Sequence, residues 1–257
     1  MTEEQLVEEN LAVEQTGFVF GAGNLDRPSL VLLSGMLGDA TLWDEIARQC
    51  NDIVRPCPIR IDLDDSIAEL AASVLAQAPQ TFVLAGHSLG GIVALEVRRR
   101  APSRVLGLAL ISSSGRAPTA AQQQAWSTWR ARVEAGEFDQ VAAELGRATL
   151  ANQALLSSNT RMAATIGPDG FRRQLIAQST RIDNLARLAD LDCPVLVFSG
   201  EQDEICPPAL QRELAERCPG AELVEVAGAG HMLPLEAPDE IVAALRPWLS
   251  SVTATDR

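Results

Sequence analysis

Apolar runs and helical periods alternate along most of this chain. The stretches "FVF" (18–20), "SLVLLSG" (29–35), "TFVLAG" (81–86), "VLGLALISS" (105–113), "CPVLVFSG" (193–200) and "AELVEVAG" (221–228) read as strands, and "DIVRPCPIR" (52–60) as a Pro-marked extended piece. Between them lie amphipathic stretches of helical length. "ATLWDEIARQC" (40–50) opens a helix with Thr41 as N-cap and Asp44 at its positive end. "DSIAELAASVLAQAP" (65–79) carries a Ser66/Glu69 capping box and stops at Pro79. "LGGIVALEVRRR" (89–100), "PPALQRELAERCPG" (207–220) and "PDEIVAALRPWLSS" (238–251) follow. In the last, Ile241, Leu245, Trp248 and Leu249 form one apolar stripe, and Pro208 and Pro238 sit in first helical turns. Several strands are apolar on both faces, which predicts a mostly parallel sheet covered by helices on both sides.

The rhythm breaks once. From residue 115 to 189 the periods are helical only, in "AAQQQAWSTWRARVEAG", "EFDQVAAELGRATL" and "GFRRQLIAQST". This predicts a core formed by residues 1–114 and 190–257, with residues 115–189 inserted as a helical lid. Residues 1 to about 16 read as a charged, frayed arm or a short helix.

At 47% hydrophobic and 21% charged, the 257 residues supply an ordinary soluble core. The net charge of −13 disfavours nucleic acid and anionic membrane as partners, leaving a small-molecule substrate. The acidic opening "MTEEQLVEEN" does not read as a secretory signal, and no apolar run reaches membrane length. Five scattered cysteines without CxxC spacing read as buried thiols in a reducing cytoplasm. Two histidines offer no metal set, so neither metal nor cofactor is expected. The chain is expected to be a monomer or homodimer.

The chemistry begins at "FVLAGHSLGGIVALEV" (82–97). Gly86-His-Ser88-Leu-Gly90 stands where a strand must turn into a helix, and that context makes it a nucleophile elbow whose Ser88 hydroxyl points away from the sheet at its carboxyl edge. A serine needs a base. His87 adjoins Ser88 and should diverge into the packing behind the turn, whereas His231 follows the last strand at the same edge. The base needs an acid. Asp203 is best placed, three residues past the strand-ending Gly200; Glu201 reads as a solvated neighbour and Glu204 stays open as a second choice. Backbone N–H groups of Leu89 and Met36, with Leu37 second to Met36, are the candidate oxyanion donors.

These motifs, "SGMLGDATLW", "GHSLGG", and "GEQDEICPP" followed by "GAGHMLPLEAP", give the chain a resemblance to the α/β-hydrolase superfamily, on its esterase and lactonase-type branch with a helical cap. The resemblance implies a catalytic triad of Ser88, Asp203 and His231 with the Met36 and Leu89 amides as the oxyanion hole, and a cap over the pocket. In one departure, Ser34-Gly35 stands where many relatives carry His-Gly. The implied activity is cleavage of a small, largely apolar ester. Enol-lactone, thioester or C–C hydrolysis on the same residues, and a ligand receptor with little turnover, are the alternatives. Leu37, Trp126, Trp129 and Met232 are candidate pocket residues. Arg172, Arg173 and Arg181 read either as receivers of a substrate carboxylate or as a solvated helix face.

Overall fold

The computed structural model describes residues 27–254; the N-terminal arm and the strand expected at "FVF" lie outside the described residues. Among the described residues, six strands form one all-parallel sheet: β1 (Ser29–Leu33), β2 (Arg55–Pro58), β3 (Phe82–His87), β4 (Val105–Ile111), β5 (Val195–Gly200) and β6 (Glu222–Val226). Their spatial order is β2-β1-β3-β4-β5-β6. Every residue of β1, β3 and β5 is buried, so these strands read as continuous apolar runs. Edge strand β6 buries only Val226.

Alternate residues of a strand face opposite sides. Leu30 and Leu32 therefore join Trp43, Ile46, Phe198, Ile241 and Trp248 on one side of the sheet. Val31 and Leu33 join Leu70, Val93 and Leu214 on the other. The covering helices are α1 (Asp44–Cys50) and α9 (Pro238–Ala254) on the first side, and α2 (Ile67–Gln77), α3 (Leu89–Arg100) and α7 (Pro208–Arg217) on the second. A short α8 (Leu233–Glu236) leads into α9. Burial of each such Leu, Ile or Val contributes about 1.5–3 kcal/mol.

Between β4 and β5 run α4 (Ala120–Glu134), α5 (Phe138–Thr149) and α6 (Leu156–Ser179), which share an apolar cluster of Trp126, Val141, Phe171 and Leu175 with Leu37 of the sheet's loop. The segment leaves and returns at one place, where the Asn184 N–H donates to the Gly115 carbonyl at 2.7 Å. Among the described residues, no helix is long and apolar enough to cross a membrane.

Three local expectations need correction. Thr41 is not a cap: Asp39 accepts from the Thr41 N–H and starts a 3-10 turn over Ala40–Trp43, from which α1 continues. Ser66 does cap α2 by accepting from the Glu69 N–H, but its hydroxyl also donates to the Glu69 carboxylate, so the Glu69 side chain meets the hydroxyl. The third inserted helix begins at Leu156. Gly167, at φ 68° and ψ 175°, and Pro168 interrupt it, and that break hides its polar first half from a periodicity reading.

Candidate active site

The elbow follows from what surrounds Ser88. A Cβ on Gly86 would stand 2.4 Å from the Gly90 carbonyl oxygen, and one on Gly90 would stand 2.1 Å from that of Leu33, so only glycine lets strand and helix approach this closely. Ser88 takes φ 52° and ψ −114°. Its N–H donates to the Ile111 carbonyl at 2.9 Å, and its own carbonyl accepts from the Ser113 hydroxyl at 2.9 Å. Among the described residues the non-glycine positive-φ positions are Leu37, Ser88 and Ser112, all just beyond the carboxyl ends of β1, β3 and β4. Such conformations cost of order 1–3 kcal/mol each and gather where a site is preorganised.

From this elbow Ser88 Oγ donates to His231 Nε2 at 2.9 Å, and His231 Nδ1 donates to the Asp203 carboxylate at 2.9 and 3.0 Å. Asp203 Oδ1 also accepts from the Ile205 and Cys206 amides at 2.9 and 2.8 Å. All three side chains are buried. Burial works to raise the Asp203 pKa, but the bonds from His231 and the two amides outweigh it and hold the carboxyl below its ordinary range. Glu201 instead accepts from the Gly228 N–H, while exposed Glu204 stands on the cavity wall.

His87 does not turn away from the site. It lies on the cavity wall, its ring centroid 5.1 Å from that of His231, and its Nε2 lies 2.9 Å from the His231 carbonyl. A carbonyl only accepts, so Nε2 carries the proton and the buried Nδ1, which has no partner, is bare. Burial first, and then the charge on His231, push the His87 pKa down to about 3, so this ring is neutral. It braces the backbone of the neighbouring histidine.

The loop after β1 carries the candidate donors Met36 and Leu37. Met36 and Leu37 line the cavity beside Ser88. Among the described residues, neither the Met36 nor the Leu89 N–H donates a hydrogen bond, whereas the Leu37 N–H is held by Gln174 Oε1 at 3.0 Å. Leu37 is therefore occupied as a donor. Ser34 provides the loop's internal anchor: its hydroxyl accepts from Trp43 Nε1 at 3.0 Å and donates to the Asp39 carbonyl at 2.8 Å.

Gln174 is one of three positioning residues that the sequence reading missed. It is fully buried on α6 and reaches the β1 loop from 137 residues away. Gln211 ties Ser113 to the Cys206 carbonyl beside Asp203. Glu236 accepts from the Gly230 and Asn152 amides on either side of the His231 loop. Only a capping-like Glu236 near Gly230 had any local signal. We expect Gln174→Ala to lower kcat about tenfold with KM changed less than about twofold, because freeing the Leu37 amide loosens the Met36 donor without removing it. Steady-state kinetics on one ester, with a denaturation curve as the folding control, measures this.

Ser88, His231, Met36, Leu37, Trp126, Trp129 and Met232 all line one cavity of about 380 Å³, so the expected pocket residues are brought together. The arginines separate. Arg172 lies near Asp169 on the surface and Arg173 donates to the Asp62 carbonyl, but Arg181 is buried on the cavity wall.

Comparison with known proteins fits this geometry. Residues 12–244 match the Alpha/beta hydrolase family. The chain is 30% identical over 268 residues to a pimeloyl-(acyl-carrier protein) methyl ester esterase of Chromobacterium violaceum, covering 94% of this chain and 99% of that protein. It is 24% identical to the biotin biosynthesis bifunctional protein BioHC of Cellvibrio japonicus over 91% of this chain, spanning half (50%) of that longer relative. The enol-lactonase from Burkholderia xenovorans LB400 shares the fold at a TM-score of 0.80 and 19% identity, over 90% of this chain and 94% of that one.

Proposed function

Because the chain belongs to the alpha/beta hydrolase family, we propose that it hydrolyses small, largely apolar carboxylic esters through an acyl-enzyme on Ser88. The observation that carries this reading is the unbroken hydrogen-bond line from Ser88 Oγ through both ring nitrogens of His231 to Asp203. The relative from Chromobacterium violaceum, named as a methyl ester esterase, supports an ester as the substrate class.

Ser88 Oγ attacks the ester carbonyl as His231 Nε2 takes its proton. Asp203 fixes the proton on Nδ1 and stabilises the imidazolium that forms. The tetrahedral oxyanion receives the Met36 and Leu89 N–H groups, each worth about 10²–10³ in rate. Collapse of the intermediate expels the alcohol, which leaves with the proton from Nε2. Water then attacks the acyl group by the same steps, and Ser88 recovers its proton.

Residues 115–189 act as the cap over this chemistry, and the described residues on either side of them, 27–114 and 190–254, form the catalytic core. Trp126 and Trp129 on the inserted α4 share the cavity wall with Ser88, which supports that division and an apolar acyl or alcohol site. A fluorophosphonate tests the reading: it should modify one residue per chain, and that residue should be Ser88.

A further inference from the structure

Arg181 follows α6, is 8% exposed, and lies on the wall of the same cavity as Ser88. Its guanidinium is held by neutral groups. Nη1 donates to Gln178 Oε1 at 3.2 Å, Nη2 donates to Gln122 Oε1 at 2.8 Å, and the face rests 5.2 Å from the Trp126 ring centroid. Its Nε is buried and has no hydrogen-bond partner. Among the described residues Arg181 forms no ion pair, and Asp203 on the adjacent loop is engaged by His231 and two amides.

A buried cation without a counter-charge destabilises a fold, and buried charges are ordinarily paired. Two amide oxygens and an indole face orient the fork but leave its charge unneutralised. Among the described residues, two of the five guanidinium N–H groups are used, which leaves three, the buried Nε–H included, without an acceptor. Burial also lowers the Arg181 pKa, in line with a missing partner, although the group stays protonated near neutral pH.

We propose that Arg181 receives a carboxylate carried by the substrate, so that the preferred ester is a monoanion whose apolar chain separates the scissile carbonyl from an acid group. This rests on the esterase reading above and narrows its substrate class. Ser88 and Arg181 sit on one wall system of about 380 Å³, so the chain length between ester and acid should be selected sharply.

The experiment compares monomethyl with dimethyl esters of the straight-chain dicarboxylic acids from succinate to suberate. In the wild type, kcat/KM for the best monomethyl ester should exceed that of its dimethyl counterpart at least about tenfold. Arg181→Met and Arg181→Gln should reduce that ratio at least about tenfold, mainly through KM. Acetate esters of ω-hydroxy acids form a second arm, which assigns the acid to the acyl or the alcohol side; a charge preference in either arm supports the proposal. No preference in the wild type, or a ratio that survives both substitutions, overturns it.

A binding measurement separates failure of the proposal from failure of the esterase reading. In Ser88→Ala, glutarate and its homologues should change tryptophan fluorescence saturably, and the added Arg181→Met should abolish that change. Dicarboxylate binding without any ester turnover would sink the esterase reading and keep the anion site. Ester turnover with no dicarboxylate binding and no charge preference would sink the anion site alone. The free dicarboxylates should also inhibit neutral-ester hydrolysis competitively in the unmodified chain, and the corresponding diamides should not. This arm stands even where the Arg181 variants fold poorly.

Discussion

Ser88→Ala should lower kcat for a short p-nitrophenyl ester by about 10⁴–10⁶-fold while the fold persists. Among the described residues the side-chain oxygen that is lost makes one hydrogen bond, to His231 Nε2. The strained backbone at φ 52° is held by the Ile111 and Ser113 bonds to main-chain atoms, which alanine keeps. Removing that hydroxyl therefore removes the attacking atom and little else, and the melting temperature should move by only a few degrees. Circular dichroism and ester turnover on the same preparation measure both. Retention of wild-type turnover would eliminate Ser88 as nucleophile.

Asp203→Asn should cost about 10³–10⁴-fold in kcat/KM through the imidazole's tautomer. The Ile205 and Cys206 amides donate to Oδ1, so the asparagine oxygen stays in that position and its NH₂ occupies the place of Oδ2. That NH₂ then donates to His231 Nδ1, at the 2.9 Å position where the carboxylate now accepts. The ring proton is driven to Nε2, facing Ser88, and the base can no longer accept from the hydroxyl. Because the Asp203 carboxyl is held below its ordinary value of 3.8, the residue is ionised throughout the neutral range. Its stabilising bonds are lost only as pH falls through that lowered value, so the defect of Asp203→Asn should be present across neutral pH. Rates from pH 5 to 9 on both proteins check this; parity between them would exclude a tautomer-fixing role.

Much of this architecture is local, and that is why it could be read. Each strand of a parallel sheet announces itself as an apolar run, and the loop that follows it must emerge at the carboxyl edge. Ser88, Asp203 and His231 each stand just past such a run, so separations of 143 and 28 residues were no obstacle. The Gly86 and Gly90 contacts are likewise imposed by neighbours within the turn or directly across it. What escaped depends on how helices dock. Gln174 faces Leu37 only because α6 lies across the β1 loop, and nothing in "GFRRQLIAQST" distinguishes it from a surface glutamine. By sequence Arg181 reads first as a solvated charge on a helix face; its burial against Trp126 follows from the packing of α4 on α6. His87 was misplaced because its contact is with a backbone carbonyl 144 residues away.

The central claim is that one serine oxygen is activated by its surroundings. Mass spectrometry of the native chain after fluorophosphonate treatment measures this directly, since the reagent loses fluoride only to a nucleophile whose proton has somewhere to go. The account predicts a single adduct, on the peptide containing Ser88, suppressed in His231→Ala. An adduct elsewhere, or none while the chain still turns over esters, would contradict it.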